Sequence, residues 1–310
     1  MDKKSKIIVL MGGPSAEAEI SRNTGKAITA ALVSIGYDAH PLEYRPEHVI
    51  EDIRKEKAEI VFIALHGKYG EDGMIQSVLE LAGIPYTGSG VTSSAITMDK
   101  IMTARLLKAA GIRMAKSEPV YLKEGIDSVA KKILADFQFP VVLKPACEGS
   151  TIGIEIVKET SKLNEALTRV FHVEARVLAE EYLDGEEFTV PVLYGKALPV
   201  IQIKPHSGSY DYHAKYTKGA TDYLVPAPIS DALATEMAAA AERGYAIAEC
   251  DGVVRFDIRT DSKGVPYVLE ANSIPGMTST SLVPKAAAAA GITFPELCEM
   301  ILKKACLGKV

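Results

Sequence analysis

Short apolar runs alternate with helix-compatible stretches along the first part of the chain, the pattern of an open parallel α/β sheet. Ile7–Met11 reads as a strand, Gly12-Gly13-Pro14-Ser15 as a turn, and about Ala18–Ile35 as a helix stopped by Gly36. Tyr37–Leu42 reads as a second strand, and Ile60–Leu65 is continuously apolar, as in a strand covered on both faces. A helix follows from about Gly73 to Ala82, with Asp72 as N-cap and Gly83 as stop. The pattern predicts a second unit beginning with a helix over Lys100–Ala110. It continues through strand Pro140–Lys144, a loop at Glu148–Gly153, strand Ile154–Val157, helix Lys162–Phe171 and strand Arg176–Glu181. Period-two alternation at Glu187–Leu193 and Ala197–Ile203 then predicts an antiparallel sheet. Lys204 to Pro228 is polar and tyrosine-rich with no clear element pattern, a length typical of a functional or a disordered loop, and Asp231–Glu249 is an alanine-rich helix.

After that helix comes a hairpin. Val253–Ile258 and Val265–Glu270 have strand character, and Asp261-Ser262-Lys263-Gly264 is turn chemistry. Arg255 shares a face with Asp257, and Glu270 with Asn272. A turn symmetric about Ser262 and Lys263 would set Arg255 opposite Glu270, crowding the oxygens of Asp257, Glu270 and Asn272 with one guanidinium. Such hard oxygen ligands suit Mg²⁺ beside phosphates; a solvated polar hairpin face is the bland alternative.

Composition narrows the class. A chain of 310 residues implies more than one domain sharing a cleft, and a net charge of −5 gives no general attraction to nucleic acid or acidic membranes. No apolar stretch approaches the roughly 20 residues of a membrane span, and no signal region precedes the first strand. The four cysteines show no CxxC spacing, so a reduced, cytoplasmic enzyme is expected. The histidines form no zinc-like pairs.

The usual nucleotide fingerprints are absent: there is no GxxxxGK[ST], and Gly12-Gly13 lacks the GxGxxG spacing. Lys144, ending an apolar strand, is followed by Glu148-Gly149-Ser150-Thr151-Ile152-Gly153, whose small residues let N–H groups close on phosphate oxygens. The acidic stretch from Leu178 through Glu180, Glu181 and Leu183 to Glu187 offers backbone groups and Glu180 to an adenine amino group, and Glu187 to ribose hydroxyls. Lys215, flanked by Tyr212 and Tyr216, suits a lid over a γ-phosphate. From Pro275-Gly276 a Ser/Thr-rich run opens a helix whose N-terminal N–H groups suit a carboxylate. Thr293-Phe294-Pro295-Glu296 reads as plain capping.

Together these motifs resemble the bacterial D-alanine–D-alanine ligases of the ATP-grasp superfamily over nearly the whole chain. The matching pieces are Gly12 to Glu17 with Ile20-Ser21, Ala64 to Gly67 with Gly70 to Gly73, and Pro85 to Gly90. They continue with Met98-Asp99-Lys100, Lys144-Pro145, Glu148-Gly149-Ser150, Asp211-Tyr212 with Lys215-Tyr216, Arg255 with Asp257, and Glu270 through Leu282. Several unrelated motifs in the right order are more specific than any one.

The resemblance implies an α/β (α+β) ATP-grasp fold in three parts. These are an N-terminal Rossmann-like domain (1–97), a central ATP-grasp subdomain (98–184) and a C-terminal one (185–310) with a lid at about 204–228. It implies an ATP- and Mg²⁺-dependent ligase that joins two D-alanine molecules through a D-alanyl phosphate, for peptidoglycan synthesis. Two Mg²⁺ (or Mn²⁺) ions would sit on Asp257, Glu270 and Asn272, with Glu270 bridging. Lys100 and Lys144 would contact phosphates, Lys215 the transferred phosphoryl, and Glu180, Glu181, Leu183 and Glu187 the adenosine. Glu17, oriented with Ser150 and Tyr216, would hold the first ammonium beside His66; Ser281 and Leu282 would receive the second carboxylate. Arg255 and the Gly276 amide would stabilise the oxyanion. Family members are commonly homodimers. Departures from the common pattern are Cys147, Thr151 and Val253-Val254. Two alternatives are a ligase taking D-lactate or D-serine second, against which Lys215-Tyr216 speaks, and a non-catalytic nucleotide-binding regulatory module. Such a module could lose Asp257, Glu270 or Lys215 freely, yet all are present.

Overall fold

The structure is a computed structural model that describes residues 2–149, 151–206, 217 and 219–309. Its described strands form three sheets. The first is parallel, in the order β2-β1-β3, from β1 (Lys6–Met11), β2 (Asp38–Glu43) and β3 (Ile60–Ile63). β1 is central and β3, though last in the order, carries an isolated bridge from Val61 to Tyr86 on its outer edge, so both are apolar and buried. By contrast, β2 is an open edge strand with mostly exposed positions and tolerates Pro41. Helices α1 (Ala18–Ser34), α2 (Val49–Lys55) and α3 (Met74–Ala82) make the connections. The N-cap of α3 is Gly73, in a left-handed conformation, rather than Asp72. The Asp72 carboxylate nevertheless accepts the Met74 N–H at 3.1 Å.

After α4 (Val91–Met98) and α5 (Lys100–Ala109), a four-stranded sheet runs β4-β7-β5-β6. Its strands are β4 (Ser117–Tyr121), β5 (Val141–Pro145), β6 (Glu155–Val157) and β7 (Arg176–Glu181). Helices α6 (Ile126–Asp136) and α7 (Leu163–Val173) cover one face, packing Ile133, Leu167 and Val170 on Val141, Leu143, Val177 and Ala179. Alternation therefore turns Lys144 and Glu180 to the other face.

The third sheet runs β11-β10-β8-β12-β13, with β9 (Lys196–Ala197) paired to β8. It comprises β8 (Glu187–Leu193), β10 (Ile201–Pro205), β11 (Thr221–Leu224), β12 (Val253–Thr260) and β13 (Pro266–Asn272). The helix α8 (Asp231–Ile247) packs on Phe188, Val190, Val254, Phe256 and Ile258. The opposite face thus carries Glu187 and Thr189 on β8 and Arg255, Asp257 and Arg259 on β12. The last helices, α9 (Leu282–Ala289) and α10 (Phe294–Lys303), return to the first sheet, where Val283, Leu297 and Ile301 share a core with Ile7 and Val9. Thr293 and Glu296 form the expected capping box at α10.

The hairpin register differs from the symmetric expectation. Arg255 faces Asn272, and Asp257 faces Glu270. The turn is one residue longer than a symmetric one, since Asp261 N–H donates to Val265 O at 3.0 Å, and a bulge between Asp257 and Ile258 adds another. A slip of two residues keeps every side chain on its face, so the acidic patch survives with exchanged partners.

Candidate active site

A cavity of about 280 Å³ opens where the three sheets meet. It is built from short, well-anchored segments. Asp99, in an extended conformation, caps α5 by accepting the N–H groups of Ile101 and Met102 at 3.0 and 3.1 Å. Its carboxylate also holds Arg176 of β7, tying the helix start to the four-stranded sheet. Lys100 is thereby aimed inward: its Nζ donates to Glu148 O at 2.6 Å and lies 3.7 Å from Glu270 Oε2.

Glu17, just before α1, places its carboxylate between two glycines. A Cβ on Gly67 or Gly149 would fall 2.6 or 2.7 Å from Glu17 Oε2, so only glycine permits this approach. His66 is buried beside it, with Nε2 3.0 Å from Thr24 Oγ1 and Nδ1 3.4 Å from Glu71 Oε1.

Across the cavity, β12 and β13 present the acidic patch. Arg255 grips Asp257 through both carboxylate oxygens, at 2.7 and 2.8 Å, and Thr189 donates to Asp257 Oδ1 at 2.6 Å. Asn272 Oδ1 is buried and has no hydrogen-bond partner among the described residues. Among those residues no three His, Cys, Asp or Glu side chains form a metal-holding group. The available set is two carboxylates and that orphaned amide oxygen, an all-oxygen donor set that fits a hard cation such as Mg²⁺. Behind the patch, Lys144 Nζ donates to Glu180 Oε1 at 2.8 Å, both groups buried. Burial pulls the Lys144 ammonium down, but Glu180, Glu270 and Glu187 outweigh it, so its pKa ends above the ordinary lysine value. The lysine stays charged, facing carboxylates from both sheets.

The cavity is completed by the segment leading to α9. Ser281 stands extended at the helix N-cap without bonding the first turn; its Oγ accepts the Thr278 N–H at 3.0 Å. Gly276 lies against it, a Cβ there falling 3.1 Å from Ser281 Oγ.

Comparison with known proteins decides the family. The family model "D-ala D-ala ligase C-terminus" matches residues 106–303, and "D-ala D-ala ligase N-terminus" matches 43–89. The D-alanine–D-alanine ligase of Syntrophotalea carbinolica is 45% identical over 308 residues, covering 99% of this chain and 98% of that protein. The chain belongs to the D-alanine–D-alanine ligase family. The ligase of Actinobacillus succinogenes is 43% identical over 301 residues, covering 97% of this chain and 98% of that protein. Among solved structures, the Bacillus anthracis D-alanine–D-alanine ligase complexed with ATP superposes with a TM-score of 0.83 at 35% identity, covering 97% and 96% of the two chains. The VanG D-Ala:D-Ser ligase of Enterococcus faecalis gives 0.82 at 28% identity, covering 97% and 99%. The fold is the ATP-grasp fold of these ligases.

Of the residues the family pattern singles out, Glu17, His66, Lys100, Arg255, Glu270, Asn272, Gly276, Ser281 and Leu282 line the one cavity. Asp257 stands behind Arg255, and Lys144, Glu180 and Glu187 lie on the adjoining sheet faces. Glu181 alternates away from Glu180; its side chain accepts the Lys116 N–H at 2.7 Å. Leu183 is buried. Ser150, Lys215 and Tyr216, and with them much of the segment read as a lid, lie outside the described residues. The sequence reading missed Thr189, Glu71 and Asn23. Thr189 was within reach, since it is two residues from Glu187 on the same strand face; Glu71 sits inside the Gly70–Gly73 motif, which was given no role of its own, and Asn23 carries no pattern.

Cys147 acquires in space the basic neighbour it lacks in sequence: Arg176 Nη1 lies 3.9 Å from its sulfur. Burial, with the charges of Glu174 and Asp99, still pushes the thiol up to about 11 against Arg176 and Lys100. Burial likewise raises Cys250 to about 11 and Cys298 to about 12, whereas Cys306 is exposed. Near neutral pH only roughly one Cys147 in ten thousand is then a thiolate. Iodoacetamide should label Cys306 first in the folded protein and the other three only after unfolding, as read by peptide mass spectrometry. Labelling of Cys147 as fast as Cys306 would contradict the inert assignment.

Proposed function

We propose that the chain consumes ATP to join two D-alanine molecules into D-alanyl-D-alanine through a D-alanyl phosphate, for peptidoglycan synthesis. The observation that carries this reading is the convergence of Glu17, Lys100, Arg255, Glu270 and the α9 N-terminus on one cavity. A carboxylate is a poor electrophile until it is phosphorylated, and phosphoryl transfer is chiefly positioning and charge stabilisation. Glu17, fixed in its glycine cradle, supplies the negative charge for the ammonium of the first D-alanine. Lys100 and Lys144, with Lys215, supply positive charge along the phosphates. Glu180, Glu187 and the backbone of Glu181 and Leu183 take the adenosine. Divalent cations on Asp257, Glu270 and Asn272 would spread the charge of the transferring group.

The second D-alanine then attacks the acyl phosphate. The uncapped start of α9, with Ser281 and Leu282, suits its carboxylate. Arg255 and the Gly276 N–H suit the tetrahedral oxyanion, where a lost donor typically costs about 10²–10³ in rate. Ser150 and Tyr216 complete the first site, and Lys215-Tyr216 favours D-alanine over D-serine or D-lactate as acceptor. The unpaired cysteines suit a reducing compartment, the cytoplasm. Among the described residues no helix is long and apolar enough to cross a membrane.

Incubation with ATP, Mg²⁺ and D-alanine should release phosphate and dipeptide in equal amounts. Phosphate without dipeptide refutes the reading. In a mixture of D-alanine, D-serine and D-lactate, mass spectrometry should find D-alanyl-D-alanine as the main product.

A further inference from the structure

The cleft face of β12 carries three polar side chains, and only Arg255 and Asp257 belong to the chemistry described above. The third is Arg259, separated from Asp257 by the buried Ile258. Successive residues on one face of a strand lie about 6.5–7 Å apart. Asp257 pairs across to Thr189 and Glu270; Arg259 pairs across to Glu187 on β8 and Tyr267 on β13. Arg259 is therefore one step from the phosphate patch towards the carboxylate read as the ribose acceptor.

Its guanidinium engages that end of the cleft through both terminal nitrogens, while Nε is buried without a hydrogen-bond partner among the described residues. Nη1 lies 3.8 Å from Glu187 Oε2, with only 22% and 19% of the two side chains exposed. The guanidinium carbon sits 5.1 Å from the centre of the Tyr182 ring, and Nη2 donates to the Tyr182 hydroxyl at 3.3 Å. Tyr182 belongs to the short linker between β7 and β8, the strands that carry Glu180 and Glu187. One side chain thus joins the connection between two sheets to the acid on the second. The linker is docked there by backbone as well: Gly185 and Glu186 donate to Thr260, the residue after Arg259, at 3.0 and 2.9 Å.

We propose that Arg259 is a positioning residue for the nucleoside end of the phosphoryl donor, holding Glu187 and the Tyr182 ring in the arrangement that accepts the ribose hydroxyls. The proposal rests on the nucleotide reading given above. It acts on binding rather than chemistry, because Arg259 is two steps along the strand from Arg255. A flat guanidinium is needed, since it must stack on one partner while pairing with another; lysine can keep the charge but not the stacking.

The test compares wild type with Arg259→Met, Arg259→Lys and Glu187→Gln, using ATP and 2′,3′-dideoxy-ATP as phosphoryl donors. In wild type the dideoxy nucleotide should show a raised KM. Arg259→Met should raise the KM for ATP about tenfold, with kcat and the KM for D-alanine within about twofold, and should draw the two nucleotides' KM values together. Arg259→Lys should recover part of the loss. An unchanged KM for ATP, an undiminished difference between the nucleotides, or a parallel fall of every parameter with the melting temperature overturns the proposal. If Glu187→Gln removes the difference and Arg259→Met does not, the Arg259 assignment alone falls. If wild type does not distinguish the nucleotides at all, the ribose reading of Glu187 falls, and this inference with it.

Discussion

Replacing Glu270 by glutamine should lower kcat by about 10³-fold or more while the fold survives. The change keeps shape and removes one negative charge from the point where the site's charges meet. Glu270 faces Asp257 across the hairpin, lies 3.7 Å from Lys100 Nζ, and helps to hold Lys144 charged. It shares a face of β13 with Asn272, whose buried Oδ1 is the orphaned oxygen of the donor set. A neutral amide there weakens cation binding and leaves Lys100 without its charged neighbour. Because a third of the Glu270 side chain is exposed, stability should barely change. Phosphate release during turnover, with circular dichroism and a melting curve on the same preparation, checks both halves. Near-normal turnover would contradict the metal assignment.

Phe256→Ala should be the most damaging core substitution in this region, costing about 3–5 kcal/mol. Phe256 is fully buried between Arg255 and Asp257, its ring on the opposite face of β12 against α8. The helix makes room with a glycine at its interior: a Cβ on Gly244 would lie 2.7 Å from the ring. Such a contact leaves a rigid void when the ring is removed, since neither the helix backbone nor the sheet can collapse into it. The neighbouring cleft residues would lose their backing, so activity should fall along with stability. A urea titration should show the midpoint of the transition reporting on this sheet moving sharply down. A loss below about 1 kcal/mol would mean that the ring is not the keystone of this packing.

Much of the fold was legible in the chain because it follows from local periodicity. β7 and β8 have the bounds that alternation predicts, Arg176–Glu181 and Glu187–Leu193. The apolar runs of β1 and β3 mark themselves as buried strands, and Thr293 marks a helix start. Elements without such a pattern went unread. α2 spans only Val49–Lys55, α4 carries a weakly apolar face, and β4 is an edge strand, Ser117–Tyr121, with a proline inside it. Their conformations are decided by what they pack against.

The site divides in the same way. Residue types and spacing along the chain determined which groups share a strand face: Arg255 with Asp257, and Glu270 with Asn272, because side chains alternate on any strand. Those patterns also pointed to hard oxygen donors and lysines, rather than thiols or imidazoles, as the groups that carry the proposed chemistry. Only the tertiary structure decided which of them meet. A longer turn and a bulge exchanged the cross-strand partners, and packing brought Glu17 between Gly67 and Gly149, Lys100 to Glu270, and Arg259 to both Glu187 and Tyr182. Local periodicity fixes direction within an element. Contact between elements depends on turn geometry and on how their buried faces fit, which no stretch of sequence contains alone.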